Sequence, residues 1–186
     1  MNLLLARCVP SSFNDRCLAI RDYVRTEDVQ HLLGPIREHA KQPGHTLICA
    51  VSNWMCMALN VHRTLRYIPD PKGCDFWSRP AVTLQRRGGD CDDLGILNGT
   101  LCRALGLYAE FVVGMLSHNG VERGVHLWVE GQDARGRFFF MEATTGQHMH
   151  VRPADYKPYY FLAPEGCRYP PGDGPPGGGP SSCYTC

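Results

Sequence analysis

The spacing of apolar residues changes abruptly after residue 105, and this change restricts the possible fold more than any other feature of the sequence. A helical interval is kept by four leucines, Leu94, Leu97, Leu101 and Leu105, and Gly106 follows where a helix would end. Three runs rich in β-forming residues come next, separated by polar turns: YAEFVVGML, VHLWVEGQ and RFFFMEATT. The sequence therefore predicts a helix over 91–105 followed by an antiparallel meander, which is an α+β fold.

The N-terminal part of the chain is predicted to be helical over 13–66. Thr26 is a suitable N-cap for a first helix, and the Gly34-Pro35 pair is expected to kink or divide that helix. A second, more apolar helix is predicted over about 46–62. Prolines and glycines between residues 67 and 89 favour an irregular crossing.

The length and charge of the chain limit the possible classes of protein. A chain of 186 residues fits one domain, predicted over 1–168 with a helical part (13–66) and a core (67–168). Proline and glycine dominate 169–186, which predicts a disordered tail. Nineteen basic and eighteen acidic residues give no reason to expect a nucleic-acid partner. Without a recognisable secretory signal or a stretch of membrane-spanning length, we expect a cytoplasmic protein that does not enter membranes.

Ten cysteines are numerous for a chain of this size. In the absence of an export signal, most are predicted to be small buried hydrophobes rather than a disulfide framework. Cys183 and Cys186 form a C-x-x-C pair that supplies only two metal ligands. His148 and His150 have no third ligand near them in the sequence and are interpreted as ordinary strand residues. No metal site and no cofactor is predicted.

The segment RRGGDCDDLGIL, residues 86–97, places a thiol at the start of the predicted helix. A helix N-terminus favours the thiolate form, and Gly88 and Gly89 allow the backbone conformations that would turn the sulfur of Cys91 toward a cleft. The flanking carboxylates of Asp90, Asp92 and Asp93 oppose ionisation of the thiol. A cationic imidazole near the sulfur would overcome that effect.

The strand VHLWVE offers His126 as this imidazole, on the same face as Trp128 and Glu130. If residues 133–135 form the hairpin loop, Gln132 pairs with Gly136 and His126 lies directly opposite Glu142. The carboxylate of Glu142 could then orient the imidazole, and Glu130 is the alternative. Nucleophile, base and orienting acid would follow one another along the chain as Cys91, His126 and Glu142.

These blocks resemble the transglutaminase-like superfamily, whose papain-like core packs a nucleophile helix on an antiparallel sheet. The resemblance rests on GGDCDDLGILNGTLCRALGLYAEFVVG, HLWVE and FFFMEATTG. The preceding stretch RYIPDPKGCDFWSRPAVTLQRRGGDCDD resembles bacterial and phage-associated members, which include cysteine peptidases. The resemblance implies Cys91 as nucleophile, His126 as base and Glu142 as orienting acid, although the superfamily more often has aspartate at the third position.

A bound carbonyl attacked by Cys91 would need hydrogen-bond donors for its oxyanion, and the backbone N–H of Cys91 is one candidate. Gln85, six residues before the thiol, is the preferred second candidate because papain-like peptidases use a glutamine at this offset. The indoles of Trp54 and Trp77 are alternatives, and Trp54 also fits a core position.

The leading hypothesis is an acyl-transfer enzyme that forms a thioester between Cys91 and a peptide or protein substrate. Release of the acyl group to water, as in a peptidase or amidase, is favoured over release to an amine, as in a transglutaminase or an amide-forming enzyme. Two alternatives stay open: a catalytically inactive peptide-binding module, and a redox or metal role for the cysteines centred on the C-x-x-C pair. The oligomeric state is left open.

Overall fold

The computed structural model describes residues 6–171. The helices are α1 (Phe13–Tyr23), α2 (Gln30–Ala40), α3 (Leu47–Cys56), α4 (Pro80–Arg86) and α5 (Cys91–Ala104). The strands are β1 (Ala6–Cys8), β2 (Arg66–Tyr67), β3 (Phe76–Ser78), β4 (Gly88–Gly89), β5 (Tyr108–His118), β6 (Val121–Gln132), β7 (Phe138–Glu142), β8 (Gln147–Met149) and β9 (Tyr156–Leu162). The α+β prediction is confirmed.

The central sheet has the strand order β8-β7-β6-β5-β9, and all of its neighbouring strands are antiparallel. The three predicted β runs form the meander β5, β6 and β7. The edge strand β9 was not predicted, because Pro158 interrupts its alternation and its partner β5 lies more than forty residues earlier.

Helix α5 lies across one face of this sheet and begins at Cys91, as predicted. Two glycines permit the close approach: a Cβ at Gly95 would overlap Leu127 Cδ2 on β6, and one at Gly99 would overlap the ring of Phe111 on β5. Gly95 lies one helical turn after Cys91, and Leu127 directly follows His126. The packing therefore brings the start of α5 to the part of β6 that carries the predicted base.

The N-terminal helices differ from prediction in two places. Thr26 starts a 3₁₀ turn, Thr26–Val29, which runs directly into α2. The predicted division of the helix at Gly34-Pro35 is wrong, because α2 continues through Pro35, and a kink there stays a prediction. Burial of Leu33 and Ile36 in the core offsets the roughly 3 kcal/mol that an interior proline costs a helix. The second predicted helix is confirmed as α3, extended by a π-helical turn, Met57–Val61.

The region between residues 67 and 89 is more regular than predicted. It contains the helix α4, which begins at Pro80, a favoured first helical residue. Strands β2 and β4 pair in parallel, with Arg66 opposite Gly88 and Tyr67 opposite Gly89. Two-residue strands with no apolar alternation leave too weak a pattern to be recognised in a sequence.

The prediction that most cysteines are small buried hydrophobes rather than a disulfide framework is wrong for four of them. Cys8 forms a disulfide with Cys74, and Cys17 forms one with Cys167. Four thiols are free among residues 6–171: Cys91 and the three predicted to lie in apolar helical runs, Cys49, Cys56 and Cys102. Cysteine partners that are 66 and 150 residues apart in the chain share no local pattern, so sequence spacing could not pair them.

Most of the predicted tail, residues 172–186, lies outside the described residues. Tyr169 is packed against Phe13 with ring centroids 4.4 Å apart, so ordered packing extends slightly beyond the predicted boundary at residue 168. Within residues 6–171, no helix combines the length and the apolar character that crossing a membrane requires.

Candidate active site

Cys91 is the first residue of α5 and is only 6% exposed. The chain reaches it through β4, where Gly88 adopts φ +147° and its backbone lies against the carbonyl of Arg66. A side chain at residue 88 would overlap that carbonyl oxygen, so only glycine fits here. The glycines before the thiol therefore have the conformational role that the sequence predicted for them.

His126 and Glu142 are brought together by the meander. His126 Nε2 lies 2.7 Å from Glu142 Oε2, and both side chains are buried. The carboxylate thus engages one ring nitrogen of the imidazole and fixes the orientation of the ring.

The strand register differs from the one predicted. Gln132 pairs with Phe138 rather than with Gly136, because the hairpin loop spans residues 133–137 instead of 133–135. Asp133 closes this longer loop by accepting hydrogen bonds from the backbone N–H groups of Arg135 and Arg137. The two-residue shift keeps the same side chains on the same face, so His126 and Glu142 still meet, as diagonal rather than directly opposed neighbours.

Glu142 is held by several donors besides His126. Its Oε1 accepts hydrogen bonds from the backbone N–H and the hydroxyl of Thr144, at 2.9 and 2.6 Å, and its Oε2 accepts one from Tyr156 at 2.9 Å. Burial alone would raise the pKa of Glu142, but the hydrogen bond and charge of His126, with the donors of Thr144, bring the pKa below its ordinary value. The acid is therefore ionised at neutral pH.

Glu130, the alternative orienting acid, is engaged elsewhere. It accepts a hydrogen bond from Trp128 Nε1 at 2.7 Å and forms a two-point ion pair with Arg152. Between the two candidates, the geometry favours Glu142 as the partner of His126.

A cluster of carboxylates lies beside Cys91, and the sequence did not predict it. Oxygens of Asp70, Asp90 and Asp92 lie within 4.8 Å of one another. Asp92 is 5% exposed, and its Oδ1 has no hydrogen-bond partner within residues 6–171. Asp90 and Asp92 flank Cys91, whereas Asp70 comes from the segment after β2. The contribution of Asp70 depends on the β2–β4 pairing, which explains why sequence spacing missed it.

Burial and mutual repulsion oppose ionisation of these acids. Burial, reinforced by Asp90 and Asp75, raises the pKa of Asp70 to about 7 despite the hydrogen bond from Phe76 N–H. Burial, together with Asp75 and Asp90, raises the pKa of Asp92 well above its ordinary value. A cation bound between them would keep Asp70 and Asp92 ionised at neutral pH.

The three candidates for a second oxyanion donor occupy different surroundings. Gln85 is exposed in the last turn of α4. Trp77 is fully buried, and its Nε1 donates to Asp75 Oδ1 at 3.0 Å, so its indole N–H is already used. Trp54 is half-buried and packs against the core, as the apolar stripe of α3 suggested. Gln85 stays the preferred prediction.

Comparison with known proteins identifies the family. The profile described as "Transglutaminase-like superfamily" matches residues 30–143, which is more than half of the chain. The chain belongs to the transglutaminase-like superfamily. This membership covers the blocks around Cys91 and His126 and ends one residue after Glu142. A search of curated proteins finds no match.

Solved structures share the fold of this superfamily member at low sequence identity. Calcium-bound LapG of Legionella pneumophila is 19% identical with a TM-score of 0.54, over 77% of this chain and 87% of that one. LapG treated with EGTA is 17% identical with a TM-score of 0.55, over 88% and 87%. A candidate cysteine protease from Cytophaga hutchinsonii is 19% identical with a TM-score of 0.49; the match covers 69% of this chain and only 42% of that protein.

Proposed function

We propose that the chain is a cysteine peptidase in which Cys91, His126 and Glu142 act together on a peptide or protein substrate. The observation that carries the proposal is the buried His126–Glu142 pair at 2.7 Å, beside a helix that begins at a thiol. Because Nε2 of His126 faces the acid, Nδ1 is the ring nitrogen that would exchange a proton with the sulfur. Membership of the transglutaminase-like superfamily supports this assignment.

In the proposed reaction, the sulfur of Cys91 attacks the carbonyl carbon of an amide and its proton passes to His126. The amide C–N bond then breaks, His126 gives the proton to the leaving amine, and the acyl group stays on the sulfur as a thioester. Water, deprotonated by His126, attacks the thioester and releases a carboxylic acid and the free thiol. The backbone N–H of Cys91 would stabilise the oxyanion, with Gln85 as the proposed second donor.

An amine instead of water would complete the same cycle by forming a new amide, as in a transglutaminase. Incubation of the protein with a peptide panel, with and without a primary amine, separates the two outcomes. A free carboxylate in both samples supports a peptidase, whereas a product that carries the added amine supports transfer.

We further propose that the cluster of Asp70, Asp90 and Asp92 binds calcium. Carboxylate oxygens are ligands that calcium prefers, and the buried Oδ1 of Asp92 has no other partner within residues 6–171. LapG, which shares this fold, is known in a calcium-bound form. A bound calcium ion would neutralise carboxylates that otherwise disfavour a thiolate on Cys91. Calcium should raise the melting temperature of the wild type but not that of Asp92→Asn; equal shifts in both proteins would contradict this assignment.

The two disulfides bear on the compartment in which the proposed peptidase works. The sequence predicts a cytoplasmic protein, and this location stays a prediction. Disulfides persist mainly in oxidising compartments. The pairs Cys8–Cys74 and Cys17–Cys167 therefore favour a location outside the reducing cytosol.

The central test is the pH dependence of Cys91 alkylation, followed by mass spectrometry so that the other free thiols are counted separately. The wild type should reach its full alkylation rate well below pH 8, whereas His126→Ala should behave like an ordinary thiol with a pKa of about 8.5. Glu142→Gln should shift the profile toward that of His126→Ala. Glu130→Gln, which alters a carboxylate on the same sheet face, is the matched control and should leave the profile unchanged.

Identical alkylation profiles in the wild type and His126→Ala would refute the ion pair and favour the inactive peptide-binding module. If the alkylation profile of His126→Ala differs from that of the wild type, an unchanged circular dichroism spectrum excludes misfolding of the variant as the cause.

A further inference from the structure

A second contact between a thiol and an imidazole lies away from the proposed catalytic residues. Cys49, in the first turn of α3, has its Sγ 3.6 Å from Nε2 of His148 on β8. Both residues are partly buried between the helix and the sheet edge. In the sequence alone, His148 and His150 have no third metal ligand near them. The fold supplies that ligand from a helix about a hundred residues earlier in the chain.

The separation of these two atoms fits a shared metal ion. Zinc bonds last about 2.3 Å to sulfur and about 2.05 Å to nitrogen, so two such ligands at a tetrahedral angle lie roughly 3.5 to 3.6 Å apart. The observed distance of 3.6 Å equals this value. The distance between these two atoms therefore already suits a shared zinc ion.

His150, two residues after His148 and exposed, is the candidate for a third ligand, and its side chain would have to turn toward the other two to reach a shared ion. Its Nδ1 donates to the backbone carbonyl of Phe138 at 3.0 Å, which leaves Nε2 as the unprotonated nitrogen. Metal-bound histidines commonly donate their other ring N–H to a backbone carbonyl in this way. The rings of His148 and His150 have centroids 6.0 Å apart. Two imidazoles on one tetrahedral ion have ring centres about 5 Å apart, so the His150 side chain would have to move toward His148 for both to bind one ion.

The surroundings of Cys49 and His148 are compatible with metal binding. Thr46, the N-cap of α3, donates its hydroxyl to Cys49 Sγ at 3.1 Å. Burial, with the neighbouring His150, lowers the pKa of His148, which favours the neutral imidazole that binds metals.

We propose that Cys49, His148 and His150 form a zinc site between α3 and β8, with water as the fourth ligand. A thiolate with two imidazoles suits zinc rather than calcium or magnesium. The site would connect α3 to the β7–β8 hairpin, in which Gln147 pairs with Glu142. Zinc binding would thereby stabilise the hairpin that carries the proposed orienting acid. The zinc site does not depend on the proposed peptidase activity.

The test uses the full chain with Cys91→Ala, Cys183→Ser and Cys186→Ser, so that the nucleophile and the C-x-x-C pair cannot bind zinc. Titrations under non-reducing conditions with excess calcium keep the disulfides intact and the oxygen-ligand sites filled. One zinc ion per chain should bind, and cobalt in its place should give a thiolate-to-cobalt absorption band. Cys49→Ser and His148→Gln should each weaken zinc binding at least about tenfold, and His150→Gln should weaken it measurably.

Cys56→Ser is the matched control, because Cys56 is also a partly buried thiol of α3, about two turns after Cys49. It should leave zinc affinity and the cobalt band unchanged. The proposal is overturned if Cys49→Ser and His148→Gln, each with an unchanged circular dichroism spectrum, bind zinc as tightly as the parent. It is also overturned if the parent binds no zinc. In the parent, zinc should raise the melting temperature, and this shift should disappear in Cys49→Ser.

Discussion

At Glu142, the strand register determines how long the acidic side chain must be to reach His126. Continuing the observed pairing by one residue places Glu142 opposite Trp128, two residues along β6 from His126. The carboxylate therefore reaches His126 across a diagonal, where Cβ atoms are about 7 Å apart rather than about 5 Å. The extra methylene of glutamate, compared with the aspartate usual in the superfamily, spans part of this distance.

This geometry predicts that charge alone does not preserve the site. Glu142→Asp keeps the negative charge but shortens the arm, so the hydrogen bond at 2.7 Å to His126 should be lost. The pH profile of Cys91 alkylation in Glu142→Asp should then resemble that of Glu142→Gln. A profile equal to that of the wild type would show that the sheet can adjust to the shorter acid.

The lowered pKa of Glu142 also predicts how stability depends on pH. A carboxyl group with a lowered folded-state pKa stabilises the fold above its unfolded-state pKa, here about the ordinary value of 4.5, and this contribution disappears as the pH falls through the folded-state value. Glu142→Gln should therefore reduce the free energy of unfolding at pH 7 by about 1.5–3 kcal/mol, the range for a charged hydrogen bond. The difference should shrink below pH 4.

Urea unfolding of both proteins at pH 7 and pH 3 measures this difference. Glu122→Gln, an exposed position on the same strand as His126, should have little effect at either pH. A gap between the wild type and Glu142→Gln that is equally large at both pH values would mean that shape, not charge, accounts for it.

The close packing of α5 on β6 depends on the absence of a side chain at Gly95. Gly95→Ala would improve helix propensity by about 1 kcal/mol, but its Cβ would overlap Leu127. Overpacking of this kind costs about 1–3 kcal/mol, so the net effect should be destabilising. It should also slow Cys91 alkylation, because α5 would move away from the strand that carries His126.

Gly34→Ala is the matched control, because this glycine lies inside α2 with open space around its Cα. It should stabilise the protein by about 1 kcal/mol, and thermal unfolding measures both effects. The double variant Gly95→Ala with Leu127→Ala should recover part of the lost Cys91 reactivity. If Gly95→Ala were as stabilising as Gly34→Ala, the close packing of α5 on β6 would be refuted.

The elements that the sequence predicts well are those whose pattern is local. The helix beginning at Cys91 and the strands around His126 and Glu142 each carry their own periodicity. The hairpin loop was predicted two residues too short, because nothing in the sequence before Asp133 shows that its side chain closes a wider turn. Asp70 and Cys49 were missed as site residues because only tertiary pairing brings them to their partners.

At the level of the whole molecule, two disulfides tie the N-terminal region to distant parts of the chain. Cys8 is joined to Cys74, which precedes β3, and Cys17 of α1 is joined to Cys167, after β9. Removing a native disulfide typically costs about 2–5 kcal/mol. Cys17→Ser with Cys167→Ser should therefore lower the melting temperature by several degrees, as should mild reduction of the wild type.

Non-reducing peptide mapping checks the pairing itself. After alkylation of the unfolded, unreduced protein, the four paired cysteines should be unmodified and linked as described. Cys102→Ser, which alters a buried free thiol, is the control. Mild reduction should lower its melting temperature by the same amount as that of the wild type. Alkylation of all four cysteines without reductant would contradict the pairing.

The Cys17–Cys167 bond closes a covalent ring that includes α2 to α5 and the whole central sheet. A single cut in any loop inside this ring opens it without producing separate fragments. The thiol at residue 91, the imidazole at 126 and the acid at 142 would stay in one molecule after such a cut. A protein of this construction can withstand nicking by other proteases, or by a second copy of itself, and keep its parts together until the bond is reduced.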